Sequence, residues 1–404
     1  MDSTLGILRE GYPFFQKKFE KQNTDVLKTR LLLRKTLVVR GEEGAEIFYD
    51  QQKFKREGAT PSRFKKTLFG KKGVQGLDGK EHVVRKKLFM QCMSRDSISS
   101  LQHHFEVLWR MQIPEWRTKE EIVLFDEVEK ILTQAGCQWV GVPLPEKDIR
   151  LRTNQLSELI DSSGGVGLRH YKGRRARKKA EKWIEALVDK IRKENKQNPE
   201  EASILGKFSL HRDLNGKLLD KKIVAVEILN LIRPIVAIAR YIVFSAMALH
   251  EHPQYYKRLR GKHENLDLYF VQEVRRFYPF FPFVAAMVKE KFSWNGVSFK
   301  KGRRVLLDLY ATNHDERNWT NAGIFYPERF ADWDGSAFNF IPQGGGDHNH
   351  NHRCAGEWIT INITRAAINL LVKEMDYEVP KQDLQIKMSR IPAIPGSRFR
   401  MNIQ

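Results

Sequence analysis

Apolar positions along the chain recur mostly at helical spacing. Residues 181–194 (EKWIEALVDKIRKE) set Trp183, Ile184, Leu187 and Ile191 three and four apart, which predicts an amphipathic helix. Residues 223–250 form the longest and most apolar helical stretch and are expected to lie at the centre of the fold. Pro234 inside that stretch removes one backbone hydrogen bond and predicts a kink. Another helix is expected over 356–375, opening just after Cys354. Strand signals are fewer. Residues 36–39 (TLVV) read as a strand ended by a Gly-containing turn. Residues 292–299 (FSWNGVSF) alternate about Asn295-Gly296, the strongest short hairpin signal. Residues 304–308 are expected to continue that hairpin's sheet. With no internal repeat, low-complexity linker or Pro/Gly-rich boundary, residues 1–404 read as a single domain, mainly α with a small β subdomain.

Composition narrows the class. Of 404 residues 41% are hydrophobic, with 24 Phe and 8 Trp, enough to build a large core, so general disorder is excluded. Three scattered cysteines, Cys92, Cys137 and Cys354, exclude a disulfide scaffold. The apolar stretch 223–250 carries Glu227, Asn230, Arg233 and Arg240, too polar for a membrane span of ~20 apolar residues. The first fifteen residues, MDSTLGILREGYPFF, lack the basic-then-apolar pattern of a signal peptide, so a cytoplasmic setting with free thiols is expected. Lys and Arg number 70 against 49 Asp and Glu, a net charge of +21 that favours anionic ligands. The densest basic run, 173–183, reads as the solvated start of an amphipathic helix. No zinc-finger spacing or RNP-type aromatic motif accompanies it, so no nucleic-acid partner is expected.

Three constellations carry candidate chemistry. The first is residues 340–358, FIPQGGGDHNHNHRCAGEW. Its three glycines allow tight turns or close backbone approach. Cys354 then stands at the mouth of a helix, where the dipole and free N–H groups, with His352 and Arg353, favour a metal-binding thiolate. Two rival readings stay open: a buried inert cysteine, and a zinc site from His348, His350, His352 and Cys354. The second constellation pairs Glu273 with Arg276 at i,i+3, with Arg329 of the motif YPERF further along, as a buried ion network. The third is Arg233-Pro234. A cation on an apolar helix needs an anion. On the helix alone an internal salt bridge, for instance to Glu227, is the plainer reading, and a ligand carboxylate is the other.

Glu273-x-x-Arg276, Pro327-Glu-Arg-Phe330 and the Gly-rich loop ending Arg353-Cys354-Ala-Gly356, in this order, resemble the haem-thiolate superfamily, the cytochromes P-450. More narrowly the chain resembles the bacterial fatty-acid peroxygenases of that superfamily. The resemblance extends through Gly76-Leu-Asp-Gly79, His82, Arg85-Lys86 and Arg233-Pro-Ile-Val-Ala-Ile-Ala239. Seven residues before the cysteine the superfamily usually has Phe; here Asp347 stands there and Phe340 lies fourteen before, the long loop of the peroxygenase branch. Arg233-Pro234 replaces the acid–alcohol pair that delivers protons in ordinary members.

The resemblance implies the cytochrome P-450 fold and a haem b cofactor. Cys354 would be the axial thiolate ligand of the iron, and Arg56, His82, Lys86 and His352 would meet the haem propionates. Arg233, beside Pro234, would hold the carboxylate of a long-chain fatty acid. Gln75 falls over the haem, where branch members carry Gln or His; Gln is similar to members that mainly hydroxylate. Phe69, Phe280 and Phe283 are candidate channel residues, each equally readable as core. The implied reaction is peroxide-driven hydroxylation at the α and/or β carbon, with hydrogen peroxide as co-substrate and no dedicated redox partner. The alternatives are oxidative decarboxylation to terminal alkenes, a monooxygenase fed by a redox partner, and a basic nucleic-acid-binding protein with a zinc loop.

Overall fold

The computed structural model describes residues 2–194, 202–261 and 264–404. A helical core surrounds Lys221–Ala237, which is buried almost all round and packs against Leu124–Val140, Glu146–Asp161 and Leu168–Glu194. Asp220 opens this central helix by accepting from the Lys222 N–H. The single helix expected over 223–250 is instead two, Lys221–Ala237 and Ala239–Glu251. Pro234 has no N–H to continue the ladder. Four residues on, the Ile238 N–H bonds to the Ile235 carbonyl at 3.0 Å, a tightened turn, before Ile242 N–H returns to the Ile238 carbonyl at 3.1 Å. The longest helix is Leu168–Glu194, at 27 residues. It contains the basic run 173–183, and its inward face is Gly173, Ala176, Arg177, Ala180, Ile184 and Val188, while Trp183, Leu187 and Ile191 flank the core. A Cβ at Gly173 would stand 1.7 Å from Ser162 Oγ, so the neighbouring chain turn fits only a glycine there. The helix after the cysteine spans Glu357–Asn369 and tails into a wider turn, Leu370–Glu374. Among the described residues no helix is long and apolar enough to cross a membrane.

The main sheet has five strands in the order Val26–Leu31, Arg34–Val39, Arg304–Asp308, Phe283–Val288, Phe54–Lys55. Only Arg34–Val39 and Arg304–Asp308 pair in parallel. This corrects the expected placement of 304–308. Phe292–Trp294 and Val297–Phe299 form a separate two-stranded hairpin, while Arg304–Asp308, buried along its whole length, fills the interior of the larger sheet. The hairpin turn is as expected, with Asn295 at φ 48° and Gly296 at φ 69°. A helix, Gly41–Tyr49, follows the strand at 36–39 where a turn was expected, and Gly41 N–H donates to Thr312 Oγ1 at 3.0 Å.

The predicted ion network forms. Glu273 is fully buried and takes both Arg276 Nε and Nη2 at 2.7 Å; Arg329 Nε approaches at 3.2 Å, and Tyr326 N–H donates at 2.9 Å. It ties helix Leu266–Phe277 to the segment leading to the cysteine loop. Breaking a buried pair strands the other charge at a cost of roughly 3–5 kcal/mol. Glu273→Ala is therefore expected to lower unfolding free energy by about that amount, whereas removing the exposed Lys17–Glu10 pair should leave the denaturant midpoint unchanged. Chemical denaturation of the two variants checks the contrast.

Candidate active site

The cysteine loop is anchored before it reaches the sulfur. Phe340 packs on Phe330, Trp333 and Trp319, and Ile341 N–H donates to Asn313 Oδ1 at 2.9 Å. Gly344 then approaches Tyr49 so closely that a Cβ would lie 2.7 Å from its hydroxyl. Cys354 N–H donates to the Gln343 carbonyl at 3.2 Å, and Gln343 Nε2 lies 3.8 Å from Cys354 Sγ. Arg275 holds both Gln343 and Glu357, Arg353 Nε binds Glu357 at 2.6 Å, and Lys86 Nζ binds the Arg353 carbonyl at 2.7 Å. Cys92 and Cys137 are buried, with thiols pushed up to about 11 and about 12 by burial, whereas Cys354 is only partly buried by surface area.

The electrostatics of Cys354 differ from the sequence expectation. Burial, and then Glu357, raise its thiol; the opposing groups include Lys86, the Gly356 N–H and Arg275. His352 and Arg353, its sequence neighbours, are not among the leading groups acting on it. The Arg353 charge is engaged by Glu357, and burial drives His352 toward its neutral form. Anionic sulfur therefore depends on a cation supplied at the sulfur itself, which a metal ion provides. The zinc arrangement does not form. His350 is exposed on Asp347 and His352 stacks on His82, and no three His, Cys, Asp or Glu among the described residues converge for a metal.

Arg56, His82, Lys86 and His352 are brought together beside this loop. The His82 and His352 rings stack at 4.0 Å, and Arg56 lies over Phe48 at 4.2 Å with Nη1 buried and unpartnered. Burial, then the neighbouring His352, pushes His82 down to about 3. Asp78 is the carboxylate against this group. It accepts from the backbone N–H groups of Arg56 and Glu57 and lies 3.8 Å from His352 Nε2. A buried group of basic residues with an orphan guanidinium donor fits the carboxylates of a haem.

Arg233 is 4% exposed and has no acid within ion-pair distance among the described residues. The salt bridge to Glu227 is not made. Glu227 binds Arg85 Nη1 at 2.8 Å, the Val74 N–H at 2.9 Å and Asn230 Nδ2 at 3.1 Å. Arg233 Nε is buried without a partner, and Nη2 reaches only Asn230 Oδ1, at 3.4 Å. Burial, then repulsion from Arg177, pushes the guanidinium down to about 9, and the charge of Cys354 opposes this. Asn230 Nδ2 also binds Gln75 Oε1 at 3.2 Å and the Phe69 carbonyl at 3.1 Å, and the Phe69 ring lies 5.9 Å from the guanidinium. Phe280 packs on Tyr241, which follows in the continuing helix. Phe283 packs instead on Phe15, in the layer against the sheet, and is not brought to Arg233.

Several positioning residues were not singled out from sequence: Asn230, Arg85, Arg177, Gln343, Arg275 and Glu357. The signal for Asn230 was present. Glu227, Asn230 and Arg233 are spaced by three, one polar stripe on an apolar helix. The partners of Glu227 and Arg177 come from distant segments and leave no local trace. Arg177 Nη1 holds the Leu68 carbonyl at 3.1 Å, next to Phe69.

A profile of the family described as cytochrome P450 matches residues 269–397. A probable cytochrome P-450 518A1 of Dictyostelium discoideum is 40% identical over 82 residues, 20% of this chain and 17% of that protein. Cytochrome P-450 3A15 of Cavia porcellus is 30% identical over 130 residues, 31% of this chain and 25% of that protein. The chain thus matches only about a quarter or less of the length of these curated relatives. Solved structures match along nearly their whole length. Cytochrome P450SP alpha, in complex with (R)-ibuprophen, is 43% identical with TM-score 0.97, covering 100% of this chain and 99% of that one. Cytochrome P450EX alpha with myristic acid is 44% identical with TM-score 0.95, covering 100% and 97%. A variant of OleT with arachidonic acid is 36% identical with TM-score 0.96, covering 100% and 96%.

An unpaired buried guanidinium destabilises its own fold. Because its pKa falls on folding, the cost is full below about pH 9 and fades as pH rises above it. Arg233→Met is expected to stabilise the lipid-free protein by about 1–4 kcal/mol at neutral pH, with the gain shrinking above pH 9. Thermal unfolding of both proteins across that range reads the gain and its decline.

Proposed function

The chain belongs to the cytochrome P-450 family, within its fatty-acid peroxygenase branch, and from that premise we propose that it hydroxylates long-chain fatty acids at the α and/or β carbon using hydrogen peroxide. The observation that carries this reading is the buried Arg233, with no acid among the described residues to neutralise it. Cys354 Sγ would hold haem b, with Arg56, His82, Lys86 and His352 meeting its propionates, and the group would supply peroxide activation and C–H oxidation.

The chain's own residues account for binding and proton movement. A fatty-acid carboxylate satisfies Arg233 Nε and Nη2 bidentately and relieves the desolvated charge. Cleaving the O–O bond of peroxide requires a proton to leave one oxygen and another to reach its partner. Glu227, the acid on the same helix, is held by Arg85, Val74 and Asn230 and is not free to carry it. The carboxylate oxygen fixed by Arg233 takes that role, as general base and then general acid. Substrate binding and assembly of the proton carrier thereby become one event. The clamp leaves the α and β carbons nearest the oxidant by reach. The overall change is fatty acid plus hydrogen peroxide to hydroxy acid plus water. Phe69 beside the guanidinium, and Phe280, are the aromatic walls offered to the chain of the lipid.

The reading treats residues 1–404 as one catalytic domain, fed by peroxide without a dedicated electron donor, in a cytoplasm where Cys92 and Cys137 remain thiols. P450EX alpha is known with myristic acid and OleT with arachidonic acid, ligands of the chemistry proposed for this chain. Oxidative decarboxylation, giving alkene, carbon dioxide and two waters from the same substrates, is the second reading. Gln75, hydrogen-bonded to Asn230 beside Arg233, is the residue that bears on it.

Arg233→Ala is expected to lose about 100-fold or more of peroxide-driven palmitate turnover while keeping haem bound. Product analysis beside a haem absorption spectrum checks both; near-normal turnover would remove the clamp. Gln75→His, which adds a titratable ring at this position, is expected to raise the alkene fraction measured by gas chromatography. An unchanged product ratio would remove Gln75 from product control.

A further inference from the structure

The turn joining Val26–Leu31 to Arg34–Val39 consists of Leu32 and Leu33, at φ 51° and 64°. This two-residue, left-handed geometry is the one that favours Asn-Gly, and leucine is strained in it. Folding does not repay the choice by burial, because Leu33 is 78% exposed and Leu32 is also exposed. The neighbouring helix Thr4–Glu10 is tied to the same tip. Leu32 N–H donates to Thr4 Oγ1 at 2.7 Å and Leu33 N–H to Asp2 Oδ2 at 2.8 Å. That helix adds exposed Leu5 and Leu8, so four uncovered leucines share one corner of the molecule.

The charge around them has one sign. The hairpin carries Lys28, Arg30, Arg34 and Lys35, all exposed, and no acid between Val26 and Val39. None of the four has a carboxylate partner among the described residues. The nearby acids are already engaged: Asp2 by the Thr4 and Leu33 N–H groups, Glu10 by Lys17, and Asp25 by Arg40 and Arg317. Tyr12 N–H bonds to the Met388 carbonyl, and three residues on, at most about 11 Å of chain, the Ile391 carbonyl accepts from Arg169. Beside Arg169 stand exposed Leu168, Tyr171, Lys172 and Arg174.

We propose that this face docks on an anionic phospholipid bilayer, with Leu5, Leu8, Leu32 and Leu33 entering the acyl boundary and Lys28, Arg30, Arg34 and Lys35 meeting lipid phosphates. Apolar tips with a basic rim are complementary to such a surface in both layers. A nucleic acid would satisfy the cations and leave the leucines in water. The proposal is independent of the peroxide chemistry; that chemistry adds only a motive, since long-chain acids reside in bilayers.

The test is co-sedimentation of the haem-loaded protein with phosphatidylglycerol–phosphatidylcholine vesicles, with pure phosphatidylcholine vesicles and a DNA duplex as comparisons. The double variant Leu32→Asn/Leu33→Gly suits the turn, so its Tm should hold or rise while its vesicle partitioning falls about tenfold or more. Arg30→Gln/Arg34→Gln should weaken binding to the anionic vesicles and flatten its salt dependence. Palmitate turnover in free solution should be unchanged in both variants. Unaltered partitioning of the Asn-Gly variant, equal wild-type binding to neutral vesicles, or tighter binding to DNA than to vesicles would overturn the proposal.

Discussion

A guanidinium taken out of water and given no carboxylate organises this site. Arg233 is desolvated by the helices packed round Lys221–Ala237, and its nearest partner is an amide oxygen at 3.4 Å. An ordinary buried arginine is neutralised within the fold, as Arg276 is by Glu273 and Arg275 by Glu357. Here the acid within one helical face, Glu227, is diverted to Arg85, and Asn230 fills the step between them. The fold therefore bears an electrostatic cost that a ligand carboxylate removes. Affinity for an acid and the geometry for its chemistry come from the same defect.

The cysteine side is built from different parts of the chain. Cys354 is placed by a loop pinned through Gln343, Arg275 and Glu357, and by Lys86 reaching across from residues 79–91. The family profile matches 269–397, which contains Arg275, Gln343, Cys354 and Glu357 but not Lys86, Arg233, Gln75 or Phe69. The part shared across the wider family is thus the sulfur side. The substrate side lies in a portion matched by the full-length structural neighbours.

Much of this could be read from residues alone, and the failures have physical causes. The Glu273–Arg276 pair was legible because it rests on a local i,i+3 motif. The Asn295-Gly296 hairpin was legible because its turn chemistry is written in the residues. The Leu32-Leu33 hairpin, with the same turn geometry, was invisible because leucine carries no turn signal. The placement of Arg304–Asp308 failed because strand pairing across 260 or so residues is decided by tertiary burial, not by sequence proximity. The cations assigned to the thiolate failed for a similar reason: His352 and Arg353 are neighbours in sequence, while Lys86 and Arg275 are neighbours in space. The choice between salt bridge and ligand at Arg233 needed the partner of Glu227, which lies 142 residues away.

The central claim is that the lipid's own carboxylate, held by Arg233, carries the proton that the protein does not. Side-by-side turnover of palmitic acid and methyl palmitate with hydrogen peroxide tests it most directly, because the ester keeps the tail and loses the acid. The account predicts hydroxylated product from the acid and essentially none from the ester, with the haem spectrum intact in both. Comparable rates for the two would contradict it.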